Sequence, residues 1–193
     1  MTAINLHKDF NMKRKLQVGV MGPGWSASEV EKEIAFKLGK LIAEKGWTLI
    51  SGGKKYGVMG AVNRGYHKRK GPLAIGISPE TEDSQMSSYL DAIIFTGMGS
   101  GRNIINALSC DVMIAIGDLS SAGTLSEVAF KLNEFEKPNK NMPKLINFPP
   151  ILLCKGELAD SLNKLYSGVS PHEKMIVTSP ENAIARIENY LLT

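Results

Sequence analysis

Short apolar segments alternate with amphipathic helical patterns along almost the whole chain, and this alternation limits the possible folds more than any other feature. The clearest apolar segments are Leu16–Met21, Trp47–Ile50 and Val112–Ile116. The last is apolar throughout, as expected for a strand covered on both faces of its sheet. Strands that alternate with helices form βαβ units and a parallel sheet. The sequence therefore predicts an α/β fold: a doubly wound, mostly parallel, Rossmann-like sheet with helices on both faces.

The remaining elements complete this pattern. Further strands are predicted at Leu73–Ile77, Ala92–Phe95, Lys144–Ile146, Ile151–Cys154 and Met175–Val177. Apolar residues three and four apart predict helices, at Ser28–Lys45, Val58–Lys70, Arg102–Leu108, Thr124–Phe135, Glu157–Tyr166 and from Pro180 onward. The inward faces are expected to include Val30, Ile34, Leu38, Leu41 and Ile42 in the first helix, and Leu125, Val128, Ala129 and Leu132 in the fourth. Residues 1–14 show no periodicity and are expected to form a loose arm, with residues 15–193 as a single domain.

Composition excludes several protein classes. The chain of 193 residues contains no apolar run of the ~18–20 residues that a membrane span needs, and its N-terminus lacks the apolar region of a signal peptide. Cys110 and Cys154 fit no zinc or redox spacing, so they are expected to be core thiols in a reducing cytoplasm. The net charge of +4 suits an anionic small ligand and is too weak to indicate nucleic acid.

Glycine is the enriched residue, and its positions are informative. Eleven of the 19 glycines follow predicted strands, in the segments Gly22–Gly24, Gly52–Gly60, Gly97–Gly101 and Gly117–Gly123. The carboxyl ends of parallel strands meet at one edge of a sheet, where ligands bind in such folds. Glycine lets backbone N–H groups approach a ligand closely, and helices that start there favour anions. Tight turn geometry explains any single loop, but four loops together favour a phosphate site.

Several familiar sites are not expected. The segment Gly22-Pro23-Gly24-Trp25-Ser26-Ala27 matches G-x-G-x-x-A, but Ser51-Gly52-Gly53 stands where a dinucleotide fold needs an acidic residue for ribose. NAD is therefore disfavoured, and no Walker P-loop occurs. His7, His67 and His172 lie far apart and outside the glycine loops, so surface positions are expected and no metal site is predicted.

Two loops carry side chains with functional chemistry. Arg102, followed by Asn103, is expected to bind phosphate from a solvent-facing position, so its loss would change stability little. Thr124 and Glu127 form either part of the site or simply a capping box at a helix start. Lys54 and Lys55 add positive charge beside the glycine edge, whereas the basic run His67–Lys70 is expected to be a solvated helix end.

The segments Ser51–Tyr66 (SGGKKYGVMGAVNRGY), Gly97–Gly117 (GMGSGRNIINALSCDVMIAIG) and Ala122–Leu132 (AGTLSEVAFKL) resemble the Lonely Guy superfamily of Rossmann-like proteins, long labelled "possible lysine decarboxylase". The opening Val18–Gly24 (VGVMGPG) and the segment GMGSGRNIINALS look most like the molybdenum cofactor carrier proteins of that superfamily. The resemblance covers about residues 16–135. It implies a cytoplasmic carrier that stores, protects and transfers molybdenum cofactor, a pterin with a phosphate and a dithiolene-held molybdate, and uses no pyridoxal phosphate.

The resemblance also leaves an enzymatic alternative. Lonely Guy enzymes remove the base from nucleoside 5′-monophosphates and carry a PGGxGTxxE motif with an upstream Arg-Lys. Glu127 and Arg102 match the motif's glutamate and arginine and would be catalytic in that case, with a nucleoside monophosphate as substrate. The chain departs from the motif at Asp118–Ala122, which replaces PGG, and at Asn103, which replaces the lysine.

Together, the glycine loops and the resemblance predict one binding site. Its expected residues are Gly22, Pro23, Gly24, Ser51, Gly52, Gly53, Gly57, Met59, Gly99, Ser100, Gly101, Arg102, Asn103, Gly117, Asp118, Gly123, Thr124 and Glu127. The resemblance further implies a homo-oligomer, a dimer or a tetramer, with molybdoenzymes or cofactor-synthesis proteins as partners.

Overall fold

Seven strands in the described part of the chain form one sheet, and every neighbouring pair is parallel. The computed structural model describes residues 14–82, 84–117, 121–136, 151–153 and 176–191. The strands are β1 (Gln17–Met21), β2 (Thr48–Ser51), β3 (Ala74–Ser78), β4 (Ala92–Phe95), β5 (Val112–Ile116), β6 (Ile151–Leu153) and β7 (Ile176–Val177). The predicted doubly wound parallel sheet is confirmed.

The strand order places a crevice beside the central strand. The sheet runs β4-β3-β2-β1-β5-β6-β7, so the chain moves outward from β1 to β4 and then crosses to the other side of β1 to form β5. Val18 of β1 pairs with Leu49 of β2 on one side and with Val112 of β5 on the other. Because the connections after β1 and β5 leave in opposite directions, their loops separate at the carboxyl edge. Ligands of open α/β sheets bind at such a switch point.

Five helices lie in the described segments: α1 (Glu29–Glu44), α2 (Gly57–Lys68), α3 (Asn103–Leu108), α4 (Ala122–Glu136) and α5 (Pro180–Leu191). A short 3-10 helix (Gly99–Arg102) leads directly into α3. The predicted capping box of α1 is confirmed, since Ser28 and Glu31 each bond the other's backbone N–H. Ser179 likewise accepts a hydrogen bond from the backbone of Asn182 at the start of α5.

Alternating strand residues feed two apolar cores on opposite faces of the sheet. On the first face, Val18, Leu49 and Ile114 pack with side chains of α1, α2 and α5. On the second face, Met21 and Met113 pack with side chains of α3 and α4. The central strands are therefore buried on both sides, as their continuous apolar sequence predicts.

The helices α1 and α2 approach each other through glycine. A Cβ added at Gly39 of α1 would lie 2.2 Å from the carbonyl oxygen of Val62, and one at Gly65 of α2 would lie 2.0 Å from that of Phe36. No side chain larger than hydrogen fits at either position without moving a backbone. This close contact positions the start of α2, whose preceding loop borders the site described below.

The two predicted helix faces need correction. Val30 of α1 is exposed, whereas Leu38 and Ile42 are fully buried. In α4, Leu125 and Ala129 are exposed although they were expected to face inward. The inward face of α4 is instead largely polar, with buried Thr124, Glu127 and Lys131 beside Val128. Lys131 is buried because its Nζ donates a 2.8 Å hydrogen bond to the carbonyl oxygen of Cys110.

The remaining predictions concern the two cysteines and the segments outside the described residues. Cys110 is a buried core thiol as expected, and burial raises its pKa to about 11. Cys154, the predicted strand Lys144–Ile146, the predicted helix Glu157–Tyr166 and residues 1–13 of the expected arm lie outside the described residues. Within the described ranges, no helix is both long enough and apolar enough to cross a membrane.

Candidate functional site

A small cleft of about 110 Å³ lies at the switch point between β1 and β5. Residues from the loops after β1, β2 and β5 meet there with residues of α2, α3 and α4. The lining residues are Met21, Gly22, Gly24, Gly52, Met59, Arg102, Asn103, Asn106, Ser121, Gly123, Thr124 and Glu127. Nine of them belong to the predicted site, so the fold brings half of that site into one cavity.

A buried ion pair forms part of the cleft. The Nη1 atom of Arg102 lies 3.0 Å from Oε1 of Glu127, and their side chains are only 11% and 6% exposed. The same Nη1 donates to Oδ1 of Asn103 at 2.9 Å, and Nδ2 of Asn106 donates to Oε1 of Glu127 at 2.7 Å. The two charges thus neutralise each other inside a frame of asparagine amides.

Burial shifts the pKa of both charged groups toward their neutral forms. Burial raises the pKa of Glu127, although the hydrogen bond from Asn106 and the charge of Arg102 oppose the shift. Burial also lowers the pKa of Arg102, against the attraction of Glu127. Burying an isolated charge in this cleft would cost free energy, and each charge of the pair lowers that cost for the other.

The expectation that Arg102 faces solvent is wrong. The residue is 9% exposed, because the chain turns inward at Gly99–Arg102 and the guanidinium enters a space that Gly52 leaves open. A Cβ at Gly52 would lie 2.9 Å from Nη2 of Arg102 and 2.6 Å from Sδ of Met59. The glycine after β2 therefore makes room for the arginine of a different loop.

The capping-box interpretation of Thr124 and Glu127 is also wrong. Helix α4 begins at Ala122, so Thr124 already lies within its first turn rather than before it. Both side chains are buried, and the Glu127 carboxylate is bonded to Arg102 and Asn106 instead of to the helix start. The interpretation of this pair as part of the site therefore agrees with the geometry.

Part of the predicted site supports the cleft without lining it. The Ser51 hydroxyl is buried and donates to Oδ1 of Asn63 at 2.9 Å. Pro23 is buried, and its carbonyl oxygen accepts the N–H of Val58 at 3.0 Å. Gly57 has a positive φ of +62°, and a Cβ there would lie 2.2 Å from the carbonyl oxygen of Gly24.

The other members of the predicted site are more peripheral. Gly53 packs against Met86, and Gly117 has φ +104° beside Glu31 and Pro23. Exposed residues of the 3-10 turn do not line the cleft, although they deliver Arg102 to it; they are Gly99, Ser100 and Gly101. Asp118 lies outside the described residues.

The basic residues near the glycine edge are engaged elsewhere. Lys54 is buried and paired with Glu80. Lys55 donates from Nζ to the carbonyl oxygen of Ser84 at 3.0 Å. The run His67–Lys70 is exposed at the end of α2, as predicted. Among the described residues, no group of three or more His, Cys, Asp or Glu side chains is placed to hold a metal ion.

Sequence reasoning missed Asn106, which contacts Glu127 from the cleft wall. Its position four residues after Arg102 places it one helical turn further along, a spacing that brings side chains together. Its Oδ1 and the Nε of Arg102 are buried and have no hydrogen-bond partner among the described residues. Two residues of the cleft wall therefore each hold one buried polar atom without such a partner, although most buried polar groups are paired.

Sequence reasoning also missed an aromatic pair beside the cleft. The rings of Trp25 and Tyr56 are stacked, with centroids 3.6 Å apart and planes inclined by 19°. Tyr56 adjoins the cleft, because its ring would lie 3.4 Å from a Cβ on Gly24. Trp25 directly follows Gly24 and is 76% exposed.

Solved structures of molybdenum cofactor proteins resemble this chain over nearly its full length. A protein described as the molybdenum cofactor binding protein from Rippkaea orientalis has a similar structure, with a TM-score of 0.76, 39% identity and coverage of 93% of this chain and 99% of that one. The molybdenum cofactor carrier protein from Chlamydomonas reinhardtii gives a TM-score of 0.74, 33% identity and coverage of 93% and 100%.

Sequence comparison identifies a further relative and a family. An uncharacterized protein of Archaeoglobus fulgidus is 39% identical over 131 residues, which cover 68% of this chain and 83% of that protein. The profile of the SLOG cluster4 family, a Lonely Guy-like group, matches residues 15–139. The chain belongs to the SLOG cluster4 family, and its similar solved structures include molybdenum cofactor carrier proteins.

Proposed function

We propose that this protein binds molybdenum cofactor, protects it and passes it on. The observation that carries the proposal is the similarity over nearly full length to two proteins described as binding or carrying this cofactor, at 39% and 33% identity. The switch-point cleft supports the proposal because it supplies a polar cavity at the edge where α/β sheets bind ligands.

The donors and acceptors of the cleft suit the polar edge of a pterin. That edge carries both N–H and C=O groups, and two residues that line the cleft hold buried polar atoms without a partner among the described residues, Oδ1 of Asn106 and Nε of Arg102. A doubly charged phosphate in the same place would meet the Glu127 carboxylate, and the charge of Arg102 is already balanced. We therefore assign the ring edge, rather than the phosphate, to the cleft.

Protection of the cofactor requires only binding by this chain's own residues, and no chemical step. Gly22 leaves room for the side chain of Val58, and Gly52 leaves room for Arg102 and Met59. The amides of Asn103 and Asn106 hold the ion pair in place. A ring edge held in this cleft is withdrawn from water. The cofactor's dithiolene already holds its molybdenum, so the protein need supply no metal ligand.

The decisive experiment is transfer of the cofactor. The full chain, loaded anaerobically with cofactor released from a molybdoenzyme, should retain it through gel filtration and then restore activity to a cofactor-free molybdoenzyme. An Asn106→Leu variant, which removes the unpaired acceptor, should retain less, whereas Asn182→Leu on the exposed start of α5 should match the wild type. A wild-type chain that retains no cofactor contradicts the proposal.

A second candidate is a phosphoribohydrolase acting on nucleoside 5′-monophosphates. The observation in its favour is the contact between Glu127 and Arg102, the residues that match the Lonely Guy motif, within one cleft. A buried glutamate with a raised pKa is suited to proton transfer or to stabilising positive charge that develops on a sugar.

Incubation with AMP and with adenine-modified monophosphates separates the two candidates. Release of free base that disappears in Glu127→Gln establishes the hydrolase. If neither substrate is cleaved, or if the variant is equally active, the hydrolase is rejected and the carrier stands alone.

We further infer the biological setting from the sequence resemblance to the carrier proteins. Residues 15–193 would act as one domain in the cytoplasm, as a homodimer or homotetramer. Molybdoenzymes or cofactor-synthesis proteins would be its partners. Light scattering of the purified chain measures the assembly, and a monomer at all concentrations contradicts this inference.

A further inference from the structure

The cleft is too small to hold the whole proposed ligand. Its volume is about 110 Å³, whereas pockets that enclose drug-sized ligands measure roughly 300–1,000 Å³. A pterin with a fused ring, a phosphate and a molybdate exceeds that space. Most of a ligand whose edge enters the cleft must therefore lie across the mouth.

The aromatic pair lies beside the cleft at Gly24. Gly24, which lines the cleft, is followed at once by Trp25, and the ring of Tyr56 adjoins both Gly24 and Trp25. The pair is thus connected to the cleft through Gly24, which precedes Trp25 in the chain and faces the ring of Tyr56.

The Trp25 ring is stacked on one face and open to solvent on the other. Tyr56 covers one face of the Trp25 indole, yet Trp25 remains 76% exposed, the highest value among the large apolar side chains of the described residues. Stacking against Tyr56 fixes the plane of the indole before any ligand arrives. The uncovered face is a rigid flat platform, and planar heterocycles stack on such platforms.

We propose that Trp25, held flat by Tyr56, stacks on the planar ring system of the ligand whose polar edge enters the cleft. This inference rests on the proposed function and extends it, because it identifies the residue that selects a planar heterocycle. Neither the glycine loops nor the Arg102–Glu127 pair provides such selection, since backbone amides and charges do not recognise an aromatic face.

The test uses Trp25 as both reporter and target. The chain has two tryptophans, and a Trp47→Phe background leaves Trp25 as the only one. Molybdenum cofactor, released anaerobically from a molybdoenzyme, should quench Trp25 emission in that background. Trp25→Ala and Trp25→Leu should each weaken retention about tenfold, the scale of one base–aromatic stack. Trp25→Phe should lose less because it keeps an aromatic face.

Matched controls separate stacking from other roles. Phe130→Ala removes an exposed aromatic side chain on α4 and should retain cofactor like the wild type. Retention by Trp25→Ala equal to the wild type, or full retention by Trp25→Leu, overturns the inference while the proposed function stands. Altered oligomeric state with unchanged affinity assigns Trp25 to an interface and also overturns it. If the wild type retains no cofactor, the proposed function fails and this inference fails with it.

Discussion

At the scale of single residues, the molecule keeps an arginine and a glutamate side by side away from water. Removing two charges from water costs several kcal/mol per ion, and only good geometry offsets that cost. Here the 3.0 Å contact between Arg102 and Glu127 and the bonds from Asn103 and Asn106 supply the geometry. The pair is therefore tolerated as a unit, whereas either charge alone is destabilising.

Substitution of Arg102 by alanine should lower the free energy of unfolding by about 3 kcal/mol, because Glu127 is then left as an unpaired buried carboxylate. Urea denaturation monitored by circular dichroism measures the change. Lys32→Ala removes a partner from an exposed pair with Glu29 and should change stability negligibly. Equal stability of the Arg102 variant and the wild type would contradict the buried-pair interpretation.

The same pair predicts a pH dependence with a definite sign. Because burial raises the pKa of Glu127 above its ordinary value of 4.5, the folded state binds its proton more tightly than the unfolded state. The contribution of Glu127 to stability is therefore fully present below pH 4.5 and falls as the pH rises through the folded pKa.

Unfolding measured across this pH range for the wild type and Glu127→Gln tests the sign. The free energy of the wild type relative to the variant should decline as the pH rises above 4.5. Glu29→Gln is the matched control, because Lys32 lowers the pKa of the exposed Glu29, so its relative change should be small and of the opposite sign. Parallel profiles for the wild type and Glu127→Gln would exclude a raised pKa.

At the scale of elements, the site depends on how closely the helices approach. The contact of α1 with α2 through Gly39 and Gly65 sets the position of α2. Tyr56 immediately precedes that helix. The short 3-10 helix before α3 swings Arg102 inward, and the polar inner face of α4 presents Glu127 to it. Two elements from separate parts of the chain, the 3-10 helix and α4, therefore build the ion pair.

Gly39→Ala should destabilise the protein by about 1–3 kcal/mol, because the added Cβ would lie 2.2 Å from the carbonyl oxygen of Val62 and neither backbone can easily yield. Alanine is otherwise the better helix former, so a stabilising result would disprove the close approach. Gly101→Ala is the control, since its Cβ would have only ordinary contacts with Met98 at 3.7 Å. Thermal unfolding of both variants measures the difference.

At the scale of the whole molecule, the order of the strands creates the binding edge. The crossing from β4 to β5 separates the loops after β1 and β5, and the cleft opens between them. A ligand bound there joins loops from both halves of the sheet. Binding should therefore stabilise the fold as a unit rather than one local segment.

A ligand present at 100 times its dissociation constant should add about 2.7 kcal/mol to the free energy of unfolding. Differential scanning fluorimetry with molybdenum cofactor should accordingly raise the melting temperature, with the increase growing with cofactor concentration. AMP serves as the comparison ligand. A shift with AMP and none with the cofactor would favour the hydrolase candidate over the carrier.

The sequence by itself determined the architecture and the edge of the sheet at which the glycine loops meet. Continuous apolar runs such as Val112–Ile116 specify strands buried on both faces, and the cap at Ser28 specifies where α1 starts. Local patterns of this kind depend on residues close in sequence. The glycine loops meet at one edge of the sheet because every parallel strand ends there.

Only the tertiary structure decided what the side chains do. Arg102 looks solvent-exposed in sequence, and Thr124 with Glu127 looks like a helix cap, because local spacing shows nothing of a partner 25 residues away. Burial of the arginine depends on space at Gly52, and the platform depends on Trp25 meeting Tyr56 across two loops. Long-range contacts set burial, burial sets charge and pairing, and these decide which residues can meet a ligand.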